Sequence, residues 1–411
     1  MNPSSRKNRF LWYLYDFANS IALVGLLYYF GLWAVGERGG SQWMISLPVS
    51  LATLALLLVM PKIARHVDAR GTHKQSMIWW SAGAAITLIV MALIGAASPL
   101  WLVGVLYFLF NFFFQAGYVF SSSLLHVVSA DSGKEPGSGL SEAKISGTGQ
   151  AWGQAGNLAG VVISFVTVSH FMVVSSDKLN IFFWSAIVFL ALLVPVSRLR
   201  IKGISNGVEE TQTLRPSLNH AAESEVAIDK SLLRKLRAQP RIARFLIAYA
   251  LYNDAVVTLS LFIALYLKKV LNFTDGQIRI GSVILLFFTI VGGLLVSRLV
   301  KSGRELKVIS SFLIIWPIAI FLFAMFTGIV PVYILIGVIG LAMSVIFAVS
   351  RAYYTIITPK DKQAEYFSVF VIFERVGAIT GPILWSLVLS ISVALGASDI
   401  VAYRIAIVSV A

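Results

Sequence analysis

The sequence predicts an all-α membrane protein built as two six-helix bundles, with about twelve transmembrane helices of which the last is truncated. Three observations carry this. Of 411 residues, 58% are hydrophobic and only 13% charged, about half the charged share of a soluble domain, so the chain needs lipid as its solvent. Apolar windows of about 20 residues, the length that crosses a bilayer core, recur from end to end. Lys and Arg gather in alternate gaps between those windows, as they do on the inner face of a membrane.

The windows fall at about 10–34, 43–67, 76–97, 99–125, 148–173 and 179–197, then at 241–267, 277–300, 306–328, 330–358 and 364–396. Asp16 and Asn19 interrupt the first, which therefore reads as a span and not as a cleavable signal peptide. A last apolar run starts at Asp399 and meets Ala411; at 1.5 Å per residue it makes about 20 Å of helix, short of a core about 30 Å thick. We expect a twelfth span cut short, the alternative being a short interfacial helix. Between the two sets lies a polar stretch. Lys202 to His220 reads as a flexible linker and Ser231 to Ala238 as an amphipathic surface helix. The expected organisation is residues 1–200, a cytoplasmic linker 201–240, and residues 241–411.

Twenty-five of the 33 Lys and Arg fall on one side of this topology and six on the other, with Arg351 and Arg375 in or near the membrane. Both termini are therefore expected in the cytoplasm. The net charge of +14 is spread between apolar runs and forms no basic face, so nucleic acid is not an expected partner. The absence of cysteine excludes disulfides, Cys-ligated metals and thiol nucleophiles. No His-x-x-x-His spacing, phosphate-cradling Gly-rich loop or Gly-x-Ser-x-Gly turn occurs. No metal, cofactor or enzymatic activity is expected.

The halves look related. Tyr15-Asp16 in the first span has a counterpart in Asn253-Asp254 of the seventh, and Asp68-Ala69-Arg70-Gly71 aligns with Val300-Lys301-Ser302-Gly303. Parallel six-helix repeats with a central site are a transporter signature.

Several motifs then coincide with one family. Tyr15-Asp16-Phe17-Ala18-Asn19-Ser20 resembles the first-helix signature of the vacuolar autophagy-effluxer-like branch of the major facilitator superfamily. Ser350-Arg351-Ala352-Tyr353-Tyr354, Pro359, Ala364-Glu365-Tyr366-Phe367 and Gly381-Pro382 are similar to its tenth and eleventh helices, and Ser146-Gly147 with Gly149 and Gly153 to its fifth-helix start. The resemblance implies a major facilitator fold and a transporter, with amino-acid export as the first expectation. It also implies a conformational loop at Asp68, Gly71 and Lys74. Ala69 stands where the superfamily usually has Arg, and Pro61 near an expected Gly.

Charged side chains inside a membrane are costly and mark functional sites by default. Asp16, Asp254 and Glu374 are the acids placed within spans. Asp16, Asn19 and Ser20 share one helical face and read as a proton-titrating group with hydrogen-bonding neighbours; a helix cap or interhelical hydrogen bond is the competing reading. Asn253, Asp254 and Thr258 repeat the pattern deeper in the seventh span. Asn111, Gln115 and Tyr118 form a polar stripe that reads equally as cavity lining or interhelical bonding. Gln150, Gln154 and Asn157 read as packing, because Gly147, Gly149, Gly153, Gly156 and Gly160 mark close helix approach. Arg351 and Glu374 read as an ion pair, with Arg375 competing; the other reading has Arg351 bind a substrate carboxylate. The expected function is proton-coupled secondary transport of a small polar solute by a monomer. The membrane would be the cell membrane in a prokaryote and vacuole-type in a eukaryote. The alternatives are a proton-independent facilitator and a membrane scaffold or sensor without transport.

Overall fold

Each apolar window becomes a helix because a backbone in lipid must satisfy its own hydrogen bonds. The computed structural model describes residues 3–125, 128, 139–174, 176–199, 239–299, 304–359, 363–399 and 400–410, with some side chains within these left aside. The linker and its expected surface helix, the side chain of Asp68 and the Val300–Gly303 segment lie outside the described residues. Among those residues there are twelve α-helices and no strand. They are α1 (Pro3–Gly31), α2 (Trp43–Arg70), α3 (His73–Ile94), α4 (Leu100–Ser123), α5 (Gly139–His170) and α6 (Asp177–Val196), then α7 (Pro240–Lys269), α8 (Asp275–Leu299), α9 (Glu305–Met325), α10 (Ile329–Ile357), α11 (Gln363–Ala394) and α12 (Asp399–Ser409). Ten helices are long and apolar enough to cross a membrane; α5 and α12 are not among them.

Local chemistry sets the helix ends. Gly71 adopts φ +64°, and the Thr72 N–H reaches back to Val67 O at 3.1 Å, closing α2 with a left-handed glycine stop. Gly396 (φ +89°) closes α11 in the same way, with the Ala397 N–H on Ser392 O at 3.0 Å. Pro240 stands in the first turn of α7, where its missing N–H costs nothing. In the first turn of α6, Asn180 Oδ1 accepts the N–H groups of Val173 and Val174, just before the helix, at 2.7 and 3.0 Å.

The chain divides into two compact units: Met1–Tyr29 with Leu51–Ala227, and Phe30–Ser50 with Ile228–Ala411. In the first unit α3 packs on α4 and α6, and α5 on α6. In the second α9 packs on α10 and α12, and α11 on α12, with α7 on α11 and α8 on α10. The pairings α3·α4, α3·α6 and α5·α6 recur as α9·α10, α9·α12 and α11·α12, so the repeat read from the sequence extends to the packing scheme.

The second unit includes the tip of the first hairpin. The end of α1 passes into a π-helical turn, Leu32–Glu37, which packs on α7. The start of α2 lies along α11 and α12 through a row of hydrogen bonds. Gln42 Nε2 donates to Tyr403 Oη (2.6 Å), Trp43 Nε1 to Ser390 Oγ (3.0 Å), Ser386 Oγ to Ser46 Oγ (2.9 Å) and Ser50 Oγ to Ile379 O (2.8 Å). Small serines let the two helices meet closely while pairing each hydroxyl.

Candidate functional site

Asp16 and Ser20 sit one turn apart on α1, and the glycine face of α5 lies against them. A Cβ added at Gly149 would stand 2.8 Å from Asp16 Oδ2 and 2.6 Å from the Trp12 ring, and one at Gly153 would stand 3.3 Å from Ser20 Oγ. Only a helix without side chains on that face admits a neighbour so close.

In the other unit α7 and α11 repeat the arrangement. A Cβ at Gly377 would stand 2.6 Å from Ala250 O and 3.2 Å from Asp254 N, and one at Gly381 would overlap Thr258 Oγ1 and the Asp254 carboxylate. Trp12, Asp16 and Ser20 on Gly149 and Gly153 thus correspond to Ala250, Asp254 and Thr258 on Gly377 and Gly381. In each unit an acid of the first helix is pressed onto a glycine pair of the fifth.

The two acids differ in what surrounds the carboxylate. Asp254 Oδ1 accepts from Thr380 Oγ1 at 3.1 Å, with Gly381 close beside the carboxylate. Asp16 has no hydrogen-bond donor and no charged neighbour among the described residues. Next to it on α1, Tyr15 turns its hydroxyl to Ser81 Oγ at 2.9 Å. Asn19 is buried, its Oδ1 without a partner among the described residues, and so is Thr258 Oγ1. Asn253 Nδ2 donates to Glu374 O at 2.9 Å and ties α7 to α11.

Glu374 lies one turn before Gly377 on α11. Its Oε2 is 3.8 Å from Arg351 Nη2, with the two side chains 34% and 44% exposed, and it accepts from Tyr249 Oη at 3.4 Å. Tyr249 is itself packed on Phe370, ring centroids 4.1 Å apart. The contact is long and both side chains are partly open. Tyr252 and Ser350, on the same two helices as Tyr249 and Arg351, pair their hydroxyls at 2.6 Å.

The remaining sequence candidates lie elsewhere. Asn111 Nδ2 donates to Tyr107 O of its own helix at 2.8 Å. Gln115 Nε2 donates to Thr53 Oγ1 of α2 at 3.2 Å. Asn157 Nδ2 donates to Gln154 Oε1 at 3.2 Å. In the conformational loop, Gly71 is the left-handed stop already described, and Lys74 Nζ donates to Ser197 O and Leu199 O at 3.4 and 3.2 Å. A cation there suits the carbonyl end of α6. Sequence reading missed Gly377, Thr380 and Tyr249 as parts of the site. The signal was present, since Gly377 and Gly381 follow Gly149 and Gly153 at one common offset, as Asp254 and Thr258 follow Asp16 and Ser20.

The family model described as "Vacuole effluxer Atg22 like" matches residues 41–392. Autophagy-related protein 22 of Kluyveromyces lactis is 26% identical over 168 residues, 38% of this chain and 34% of that protein; the chain spans about a third of the length of the curated relatives it matches. Among solved structures, the nucleoside transporter NupG is similar with a TM-score of 0.69 at 15% identity, covering 100% of this chain and 96% of that one. A bacterial homolog of the human lysosomal transporter Spinster, inward-facing and unoccupied, gives 0.68 at 12% identity, covering 100% and 94%. Both likenesses show the fold, which is that of the major facilitator transporters.

Proposed function

The chain belongs to the Atg22-like vacuole effluxer family, a family of multi-pass membrane transporters with the major facilitator fold, and on that premise we propose that it is a proton-coupled secondary transporter of a small polar solute, amino acids first. The observation that carries the proposal is the repeated carboxylate on a glycine pair, Asp16 on α5 and Asp254 on α11. An acid kept in a membrane span against the cost of desolvation is kept for a purpose, and reversible protonation of such a group is a common basis of ion coupling.

The Arg351–Glu374 pair adds the second half of the reading. Its opposite charges, both partly open, match the two ends of a zwitterion: the guanidinium takes a carboxylate and Glu374 with Tyr249 takes an ammonium. Alternating access follows by rocking of residues 1–200 against residues 241–411, with both termini and the 201–240 linker on the cytoplasmic side and the monomer as the working unit.

The test is uptake into proteoliposomes of radiolabelled amino acids, with nucleosides and sugars alongside, with and without an imposed pH gradient. Accumulation of an amino acid above equilibrium only with the gradient supports the proposal. Equilibration that ignores the gradient turns the protein into a facilitator, and no movement of any solute makes it a scaffold or sensor.

A further inference from the structure

Asp16 and Asp254 occupy equivalent places in the two units, yet their surroundings assign them different work. We infer that Asp16, and not Asp254, carries the coupling proton, while Asp254 is a fixed carboxylate of the substrate path. The inference rests on the proton-coupled reading above and decides between the two acids that reading leaves open.

The argument is one of donors. A carboxylate that stays charged away from water needs hydrogen bonds to its oxygens or a cation beside it. Asp254 has such a donor, the Thr380 hydroxyl of α11 at 3.1 Å. Asp16 has none among the described residues. Its glycine partner Gly149 is followed by Gln150, an exposed residue, where Gly377 is followed by Ala378, Ile379 and the donor Thr380. The position on α5 equivalent to Thr380 is Trp152, whose ring packs instead on Phe10 and Phe17. The repeat has therefore replaced a hydroxyl donor by an indole turned to other rings.

Among the described residues no charge stands beside Asp16; the side chains of Glu142 and Lys144, earlier on α5, lie outside them. The elements that meet this part of α1 present Gly149, Gly153 and Trp152 from α5, Gly117 and Tyr118 from α4, and Ser81 from α3. Residues 100–123 of α4 and 145–167 of α5 contain no Asp, Glu, Lys, Arg or His. The titratable neighbours are the phenols of Tyr15, committed to Ser81, and Tyr118. A proton is a partner that the Asp16 carboxylate can gain and lose without rearranging the described helices around it. For Asp254, the Thr380 hydroxyl already bonds the charged carboxylate, and such a charge-assisted bond weakens when the group takes up a proton.

The experiment uses the full chain in proteoliposomes loaded with the pH dye pyranine, and a mixture of radiolabelled amino acids as the probe. Two quantities are read in each vesicle preparation: counterflow, which needs binding and the conformational cycle but no net proton movement, and the proton flux that accompanies net uptake. For wild type both signals are expected. Asp16→Asn should lose the proton flux, its accumulation ratio under a pH gradient falling to unity, while counterflow persists. Asp254→Asn should lose counterflow and flux together, and Asp254→Glu should restore part of both. Thermal melting of each purified variant separates loss of function from loss of fold. The inference is overturned if Asp16→Asn keeps its proton flux, or if the split between counterflow and flux appears in Asp254→Asn instead. Wild-type counterflow without any proton flux would overturn the coupled reading itself, and the inference with it.

Discussion

Gly156→Ala is the sharpest probe of the α1–α5 contact. A Cβ at this position would overlap the Phe17 carbonyl oxygen and stand 2.9 Å from the Phe17 C and Cα atoms. Carbon atoms rest at about 3.5–4.0 Å from one another, so α1 and α5 must separate by somewhat under ~1 Å. The obstacle is backbone, which has no rotamer to change. Overpacking of this kind costs about 1–3 kcal/mol, and the backbone clash places Gly156→Ala toward the upper part of that range. Alanine also has a helix propensity about 1 kcal/mol better than glycine, which would mask part of the cost in a single measurement. Gly104→Ala, in α4, supplies the reference, because a Cβ there meets nothing within 4 Å. The propensity gain is common to both substitutions, and their difference isolates the packing cost. We expect Gly156→Ala to be less stable than Gly104→Ala by about 2–3 kcal/mol, read as the difference in unfolding free energy from denaturant titrations in one detergent, followed by tryptophan fluorescence. Equal stabilities of the two variants would refute the close α1–α5 approach on which the Asp16 environment depends.

Three further outcomes are expected. Removing either charge of the Arg351–Glu374 pair should weaken solute counterflow while the protein still folds; a coupling of several kcal/mol in a double-mutant stability cycle would make the pair structural. Because the chain has no cysteine, Ser46→Cys with Ser386→Cys should form a disulfide on mild oxidation, their hydroxyl oxygens being 2.9 Å apart, and a mass spectrum lacking the cross-linked peptide would contradict the α2–α11 contact. Cysteines placed singly at Ser5 and Ser224 should resist membrane-impermeant maleimide in intact cells, and labelling of either from outside would reverse the topology.

The spans were legible because lipid imposes a length and a composition that few other structures share. The window at 10–34 became Pro3–Gly31, continued by the π-helical turn to Glu37, and that at 364–396 became Gln363–Ala394, closed by the left-handed Gly396. The acids were legible as well, since a carboxylate in an apolar run has few innocent explanations. What faces each acid was not. Asp16 meets Gly149 and Asp254 meets Gly381 across more than a hundred residues of chain, and glycine announces close approach without saying to what. The polar stripe of α4 read equally as cavity lining or interhelical bonding; Gln115 bonds Thr53 of α2, while Asn111 satisfies itself on the carbonyl four residues earlier, a bond that leaves no trace in the spacing. The serines of the α2–α11 row were passed over because a single serine in a span is unremarkable until its partner is known.

The glycine faces also bear on how the protein is made. Helices leave the ribosome in order, so α1 reaches the membrane with its Asp16 face uncovered and stays so until α5 has been synthesised. The same wait separates Asp254 of α7 from Gly377 and Gly381 of α11. In the first half the arriving partner α5 carries Gln150, Gln154, Asn157 and its glycines into the membrane. During that interval the acid has to be sheltered by the translocon, by water or by an insertase. A defect in that shelter would strand a half-built bundle whose finished form is stable, so variants at these glycines are expected to fail first in yield and only afterwards in turnover.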